Sequence, residues 1–254
     1  MLVSQRRTHL LELLSTTGSV VAKEVAAEFG VSEDSIRRDL RDLAAEGLCQ
    51  RVYGGAVPAS PAVASYQARA SLAPAAKRTV ASAAVRLITA GSTVILDGGT
   101  TALAIARTLP RDLKCTVITT SPTIAVALLD HPSAELFLLG GRVFKHSATT
   151  SGAAAMEAAQ AVTADVCFLG VTGVHPDAGL TTGDVEDAAM KRALASRAAE
   201  TYILASSEKI GTASRYRVLP WDQTAGIITD ADSTDETIRE IAALGATVIS
   251  TRVE

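Results

Sequence analysis

Aromatic residues are scarce in this chain, 4% of 254, so its cores have to be filled by Ala, Leu, Val and Ile within a hydrophobic share of 48%. Cysteine is equally thin. Cys49, Cys115 and Cys167 are odd in number and far apart, which argues against a disulfide framework or a Cys-x-x-Cys metal site and suits buried thiols in a reducing cytosol. Long apolar runs are missing: Thr, Ser, Asp or Gly interrupts each one well before ~18 residues, so no membrane span is expected. Arg6 and Arg7 precede an apolar stretch, but that stretch contains Glu12 and no small-residue cleavage site follows, so a secretory leader is not expected. Charge is nearly balanced, with 24 Lys and Arg against 27 Asp and Glu. What remains is an ordinary globular composition, long enough for one large domain or two smaller ones, in a cytoplasmic protein for which no cofactor or metal is expected.

Two different patterns meet in the sequence. Over residues 3–16, Leu10, Leu11, Leu13 and Leu14 approach the spacing of a helix with one buried face, and Gly18 stops it. Val21, Val25, Ala26 and Phe29 space a second, short helix that ends at Gly30. Ser32 is a good N-cap for a third: Glu33 and Asp34 fall in its first turn, where the helix dipole favours acids, and Ile36, Leu40 and Leu43 line one face before Gly47. Residues 48–57 then read as two short strands around Gly54-Gly55. Within residues 1–57 this outlines a winged helix-turn-helix.

Residues 58–75, with Pro58, Pro61 and Pro74 among Ala and Ser, read as a linker. From 76 to 254 strand-like runs are expected at Thr93–Leu96, Thr116–Thr119, Glu135–Leu139, Val166–Leu169, Tyr202–Leu204, Gly226–Ile228 and Thr247–Ile249. Amphipathic helical stretches at Ala76–Thr89, Ala102–Leu109, Thr123–Leu129, Glu186–Ala199 and Thr237–Leu244 lie between most of them. Short apolar strands alternating with helices predict an α/β, doubly wound, mostly parallel sheet covered on both faces.

The third helix is the first candidate site. In a helix-turn-helix the second helix of the motif enters the major groove, and its first turns reach base edges. The positions predicted to face outward are Ser32, Asp34, Ser35, Arg37, Arg38 and Arg41. Arginine forks suit guanine O6/N7 or phosphate, and small hydroxyls fit close to bases. Arg51 and Tyr53 on the wing are placed for phosphates. The competing reading is a solvated helix face with internal ion pairs. Residues 1–57 hold seven cations (Arg6, Arg7, Lys23, Arg37, Arg38, Arg41, Arg51) against eight anions (Glu12, Glu24, Glu28, Glu33, Asp34, Asp39, Asp42, Glu46). A DNA-binding module usually shows a basic surplus, so this one needs its cations segregated onto one face.

The run V-S-E-D-S-I-R-R-D-L-R-D-L-A-A-E-G-L-C-Q-R-V-Y-G-G-A, residues 31–56, closely resembles the signature of the DeoR family of bacterial transcription regulators. It departs at Ser35, where the family usually has Thr, and at Cys49 and Tyr53, where Leu and His are common. The resemblance implies a double-stranded DNA operator as partner, contacted by Ser32, Ser35, Arg37 and Arg38, with Arg51 on a phosphate. Helix-turn-helix proteins usually read paired half-sites, so a homodimer or homotetramer is expected.

In the second half, V-I-L-D-G-G-T-T-A-L-A-I-A (94–106) runs from a buried strand through Asp97, Gly98, Gly99, Thr100 and Thr101 straight into a helix. Two glycines let the backbone come close to a ligand, and free N–H groups at the helix start form an anion cradle with the Thr hydroxyls. It is neither a Walker loop nor G-x-G-x-x-G, which disfavours nucleotides. Further candidates at strand ends are Thr119-Thr120-Ser121, Gly140-Gly141-Arg142, Gly179–Thr182 ahead of the helix with Glu186 and Lys191, and Ser206–Lys209. For each, ordinary turn and capping chemistry is the competing explanation. Taken together and in order, these elements resemble the DeoR-type C-terminal sensor domain, similar in fold to ribose-5-phosphate isomerase and glucosamine-6-phosphate deaminase. That implies a phosphorylated sugar or sugar derivative as effector, with the Asp97–Thr101 loop and Lys209 as the matching positions. Thr120 stands where the family commonly has Asn, and Ser206 where it commonly has Asp.

A sugar-phosphate isomerase or deaminase is the rival reading. It needs a positioned carboxylate or His of tuned pKa, and Asp97, Asp184, Glu186, Asp187, Glu208, His131, His146 and His175 show no spacing that specifies catalysis. A winged helix has no role in such an enzyme, and a purely architectural DNA-binding protein leaves the glycine loop unexplained. The expectation is a ligand-controlled regulator, most often a repressor in this family, and not an enzyme.

Overall fold

In the computed structural model, which describes residues 2–251, the apolar stripes of the first helices turn inward together. α1 (Val3–Thr17), β1 (Val20–Val21), α2 (Ala22–Phe29), α3 (Glu33–Ala45), β2 (Cys49–Val52) and β3 (Gly55–Pro58) form the head. Leu10, Leu14, Val25, Ile36, Leu40 and Leu43 share one core, closed by Cys49 and Ala56 from the wing. β2 and β3 are the expected hairpin. β1, too short for any periodicity to mark, pairs antiparallel with the other side of β3.

Residues 58–75 carry structure of their own. Ala59 makes a parallel bridge to Ala213, and the Ser60 hydroxyl donates to the Thr172 carbonyl. Ser65 caps α4 (Tyr66–Ser71). The chain then turns at Ala73, whose φ of 44° is left-handed, into α5 (Pro74–Val85).

The rest runs β4 (Thr93–Leu96), α6 (Thr100–Thr108), β5 (Cys115–Thr119), α7 (Pro122–Leu128), β6 (Ala134–Leu138), β7 (Arg142–Phe144), β8 (Thr149–Ser151), α8 (Ala153–Gln160) and β9 (Ala164–Gly170). It continues with β10 (Gly173–His175), β11 (Gly179–Thr182), α9 (Val185–Ala195), β12 (Ala198–Leu204), β13 (Tyr216–Arg217), β14 (Gly226–Thr229), α10 (Glu236–Ala243) and β15 (Val248–Ser250). The seven predicted runs become one seven-stranded parallel sheet in the order β15-β14-β12-β9-β4-β5-β6. Strand residues alternate between two cores. Val94, Leu96, Val117 and Phe168 meet α5, α6 and α7, while Ile95, Ile118, Cys167 and Leu169 meet α8 and α9 on the opposite face. That double burial is why the strands read as continuous apolar runs. All three cysteines are free and buried, and burial raises each thiol, Cys49 to about 11.

From β4 the chain builds outward through β5 to β6; from β9 it builds the other way through β12 and β14 to β15. The order reverses between β4 and β9, and such a reversal opens a crevice beyond the strands' carboxyl ends. No helix among the described residues is long and apolar enough to cross a membrane.

Candidate functional site

A cavity of about 430 Å³ lies at this reversal. β4 delivers Asp97, almost wholly buried, whose Oδ2 accepts from the Gly170 N–H at 3.0 Å and so ties the ends of β4 and β9 together. The same carboxylate pairs with the buried Lys191 of α9, which also lies 3.5 Å from Asp187. Burial opposes the Lys191 ammonium, but Asp187 and Asp97 outweigh it and hold it charged. Burial raises Asp97, against the opposing charge of Lys191 and with the like charge of Asp187 adding to the rise.

The glycine turn is shaped by contact. A Cβ on Gly98 would sit 1.9 Å from Thr149 Cγ2, so the turn passes directly beneath β8. Gly99, at φ +115°, enters α6 with no side chain capping it. The first N–H groups of α6 have no helical partners and therefore need an acceptor from elsewhere, and Gly98, Gly99, Thr100 and Thr101 all border the cavity.

Lys209 faces the same space. Its ammonium has no hydrogen-bond acceptor and no ion-pair partner among the described residues, although the residue is only 7% exposed. Burial lowers its pKa to about 8, Glu208 opposing and Arg69, Lys77 and Lys191 adding to the shift. Glu208 itself accepts from Ser206 Oγ at 2.6 Å, while its other oxygen is buried without a partner. Around the cavity five cations (Arg69, Lys77, Lys191, Lys209, Arg215) face three carboxylates (Asp184, Asp187, Glu208).

Other predicted positions lie elsewhere. Thr119, Thr120 and Ser121 are fully buried beneath the β7–β8 hairpin: the Thr120 carbonyl accepts from the Thr150 N–H at 2.7 Å, and Ser121 Oγ donates to the Ala148 carbonyl at 3.1 Å. Thr120 Oγ1, buried and unpartnered, faces a separate void of about 10 Å³ shared with Asp97 and Glu186. Glu186 is exposed, 3.9 Å from Arg142. Gly140 and Gly141 follow β6, the outer strand of the sheet, roughly 10 Å from β4 at two strand spacings, and do not border the cavity. Asp184 does border the cavity, where it caps α9 by accepting from the Glu186 and Asp187 N–H groups. Among the candidate acid–base histidines, His131 contacts the Pro110 carbonyl and His175 accepts from the turn that follows it. No group of three or more His, Cys, Asp or Glu suited to a metal occurs among the described residues.

Three of the cavity cations, Arg69, Lys77 and Arg215, went unmarked in the sequence. Arg69 comes from α4, inside the segment read as a linker, and Lys77 from α5; both are half or fully buried at the cavity wall. Their local surroundings resemble any polar helix, so no short-range signal singles them out.

In the head, the near-balance of charge resolves by segregation. Arg6 pairs with the buried Asp39, and Arg7 reaches Asp42, Asp39 and Glu46. These inward contacts from α1 absorb acids of α3. On the other side Arg37, Arg38 and Arg41 are exposed; Arg37 contacts Glu33 at 2.7 Å, and Arg38 and Arg41 have no ion-pair partner among the described residues. Ser32 caps α3, accepting from the Ser35 N–H, and the two hydroxyls are 2.9 Å apart. Arg51 and Tyr53 stand exposed on the wing.

A winged helix-turn-helix joined to an α/β body with a cationic crevice defines the class of ligand-sensing transcription regulators. Comparison with known proteins agrees. The family model described as "DeoR-like helix-turn-helix domain" matches residues 6–62, and "DeoR C terminal sensor domain" matches residues 73–231. The HTH-type transcriptional regulator GlpR of Haloferax volcanii is 30% identical over 251 residues, 98% of each chain. The putative aga operon transcriptional repressor of Escherichia coli O157:H7 is 32% identical, covering 97% of this chain and 93% of its own. The HTH-type transcriptional repressor GlcR of Bacillus subtilis is 30% identical over 89% of this chain and 88% of its own. The chain belongs to the DeoR family of transcriptional regulators.

Proposed function

We propose that this regulator is a repressor of carbohydrate-metabolism genes, released from its operator by a phosphorylated sugar held in the switch-point cavity. One observation carries the reading: the buried Lys209 has an ammonium with no hydrogen-bond acceptor among the described residues, and it borders the same cavity as the uncapped start of α6. A dianionic phosphate supplies the missing charge to the first and the missing acceptors to the second. The volume suits a sugar monophosphate. Asp97 then acts as a brace that aims Lys191, while Gly98–Thr101, Lys191 and Lys209 hold the ligand. Repression fits two relatives that are named as repressors, that of the aga operon and GlcR.

On the DNA side, Arg37, Arg38 and Arg41 enter the major groove, with Ser32 and Ser35 at the helix start and Arg51 on a phosphate. Paired half-sites call for a homodimer or homotetramer. Turning the operator complex from mostly bound to mostly free needs about 5.5 kcal/mol of differential ligand affinity for a full 99:1 reversal.

The test is a screen of triose to hexose phosphates, with the unphosphorylated sugars alongside, for thermal stabilisation and for release of the protein from its own upstream DNA. A phosphorylated sugar is expected to do both, and Thr100→Ala/Lys209→Ala to keep DNA binding while losing the response. Equal potency of the unphosphorylated sugars, or a response intact in that variant, refutes the assignment. Light scattering that finds only monomer at operator-binding concentrations refutes the paired-head arrangement.

A further inference from the structure

The cavity is not built from the α/β body alone. Arg69 belongs to α4, between the head and the body, yet its guanidinium enters the cavity wall. Nε donates to the Ala64 carbonyl at 3.1 Å and Nη2 to the His146 carbonyl at 3.2 Å, so two corners of the fork are anchored on backbone. Nη1 has no acceptor among the described residues and lies beside the glycine turn, 3.9 Å from where a Gly99 Cβ would be. A permanently charged planar donor is thus held rigidly, with one free arm at the loop whose own amides await an anion.

What surrounds Arg69 ties this arm to the connector. Lys77 Nζ donates to the carbonyls of Arg69 and Leu72, gripping the end of α4 at the left-handed Ala73. On its other side α4 is tied to the β7–β8 loop by the Tyr66 N–H to His146 carbonyl bond at 3.1 Å. Upstream, the end of β3 reaches the body through the Ala59–Ala213 bridge. Gly47, Cys49 and Gln50, in the turn and strand that follow α3, form part of the cavity wall.

We propose that Arg69 is an anion ligand of this cavity, contributed by the connector, and that through it a bound phosphate group acts on the segment that carries the DNA-binding head. The inference rests on the effector reading above. A phosphate between the α6 amides and Nη1 makes a charge-assisted bond across the boundary between body and connector. That bond exists only when the cavity is filled, and such a difference in contacts is what lets a ligand shift a conformational equilibrium. Arg69 thereby joins Lys209 in recognising the phosphate, while Lys77 positions the helix that bears it.

The full chain is titrated with inorganic phosphate by calorimetry, and hydrogen–deuterium exchange of residues 64–72 is followed with and without phosphate. Wild type is compared with Arg69→Gln, Arg69→Lys and Lys209→Met. Loss of one charge-assisted bond predicts about 10- to 100-fold weaker phosphate binding in Arg69→Gln. Phosphate is expected to slow exchange in 64–72 of the wild type and to leave it unchanged in a saturated Arg69→Gln. Phosphate binding by Arg69→Gln within twofold of wild type, or equal slowing when that variant is saturated, overturns the proposal. If Lys209→Met loses phosphate while Arg69→Gln keeps it, only the Arg69 assignment fails; if wild type takes up no phosphate, the effector reading fails with it. Should Arg69→Gln not fold, Arg69→Lys decides. It keeps the charge without the fork, so slowing of 64–72 is expected to vanish, and undiminished slowing refutes the assignment.

Discussion

Replacing Lys209 by Met removes a charge that burial disfavours more than Glu208 compensates, while keeping a side chain of similar length and shape. The lysine's pKa is about 8 in the folded protein, against an ordinary 10.5. That difference corresponds to a folding penalty of about 3 kcal/mol at neutral pH. Below pH 8 both states carry the proton and the penalty is present in full. Between pH 8 and 10.5 the unfolded chain keeps a proton that the native chain has shed, so wild-type stability rises with pH across this window. Lys209→Met is therefore expected to be more stable than wild type at pH 7 by up to about 3 kcal/mol, roughly 6–12 °C in melting temperature for a chain of this size. The advantage should shrink steadily above pH 8. Thermal and urea denaturation in phosphate-free buffer at pH 7, 9 and 10.5 measure it. A variant less stable than wild type at pH 7, or an advantage independent of pH, would refute the reasoning. A phosphate ligand pairs with the ammonium and restores its pKa, so wild-type phosphate affinity should fall above pH 8 and proton uptake should appear in calorimetry across buffers of different ionisation enthalpy.

Arg37→Ala/Arg38→Ala is expected to leave the melting temperature unchanged and to abolish specific operator retention in a mobility-shift assay, each base contact being worth about 1–3 kcal/mol. Asp39→Ala leaves Arg6 buried without its partner and should destabilise the head by about 3–5 kcal/mol in denaturant unfolding. Gly98→Ala forces a Cβ against Thr149 Cγ2 and should cost about 1–3 kcal/mol by overpacking; adding Thr149→Ser removes that methyl and should recover most of the loss. Failure of Thr149→Ser to recover it would mean that the turn is not shaped by this contact.

Much of the scaffold could be read directly. The inner strands of the sheet show as apolar runs because they are buried on both faces, whereas the edge strands β6 and β15 are apolar in sequence but only partly covered; the first three helices show through spacing and capping residues around one core. The elements that escaped are short or lack contrast. β1 has two residues, α8 is largely alanine, and the β7–β8 hairpin and the small sheet of β10, β11 and β13 have strands of two to four residues.

By itself the sequence determined the winged head, the doubly wound body and the glycine turn at the end of β4, since local spacing and backbone freedom encode all three. Only the tertiary structure decided which strand ends meet. It brought Lys209 to the Asp97–Thr101 turn, left Gly140 and Gly141 two strands away, and drew Arg69 into the cavity from a segment that reads as a plain connector. It also sorted the head's nearly balanced charges into arginines paired inward and arginines left outward. The reason is physical: periodicity reports which side of one element is buried, whereas convergence depends on strand order and on ion pairs between residues far apart in the chain.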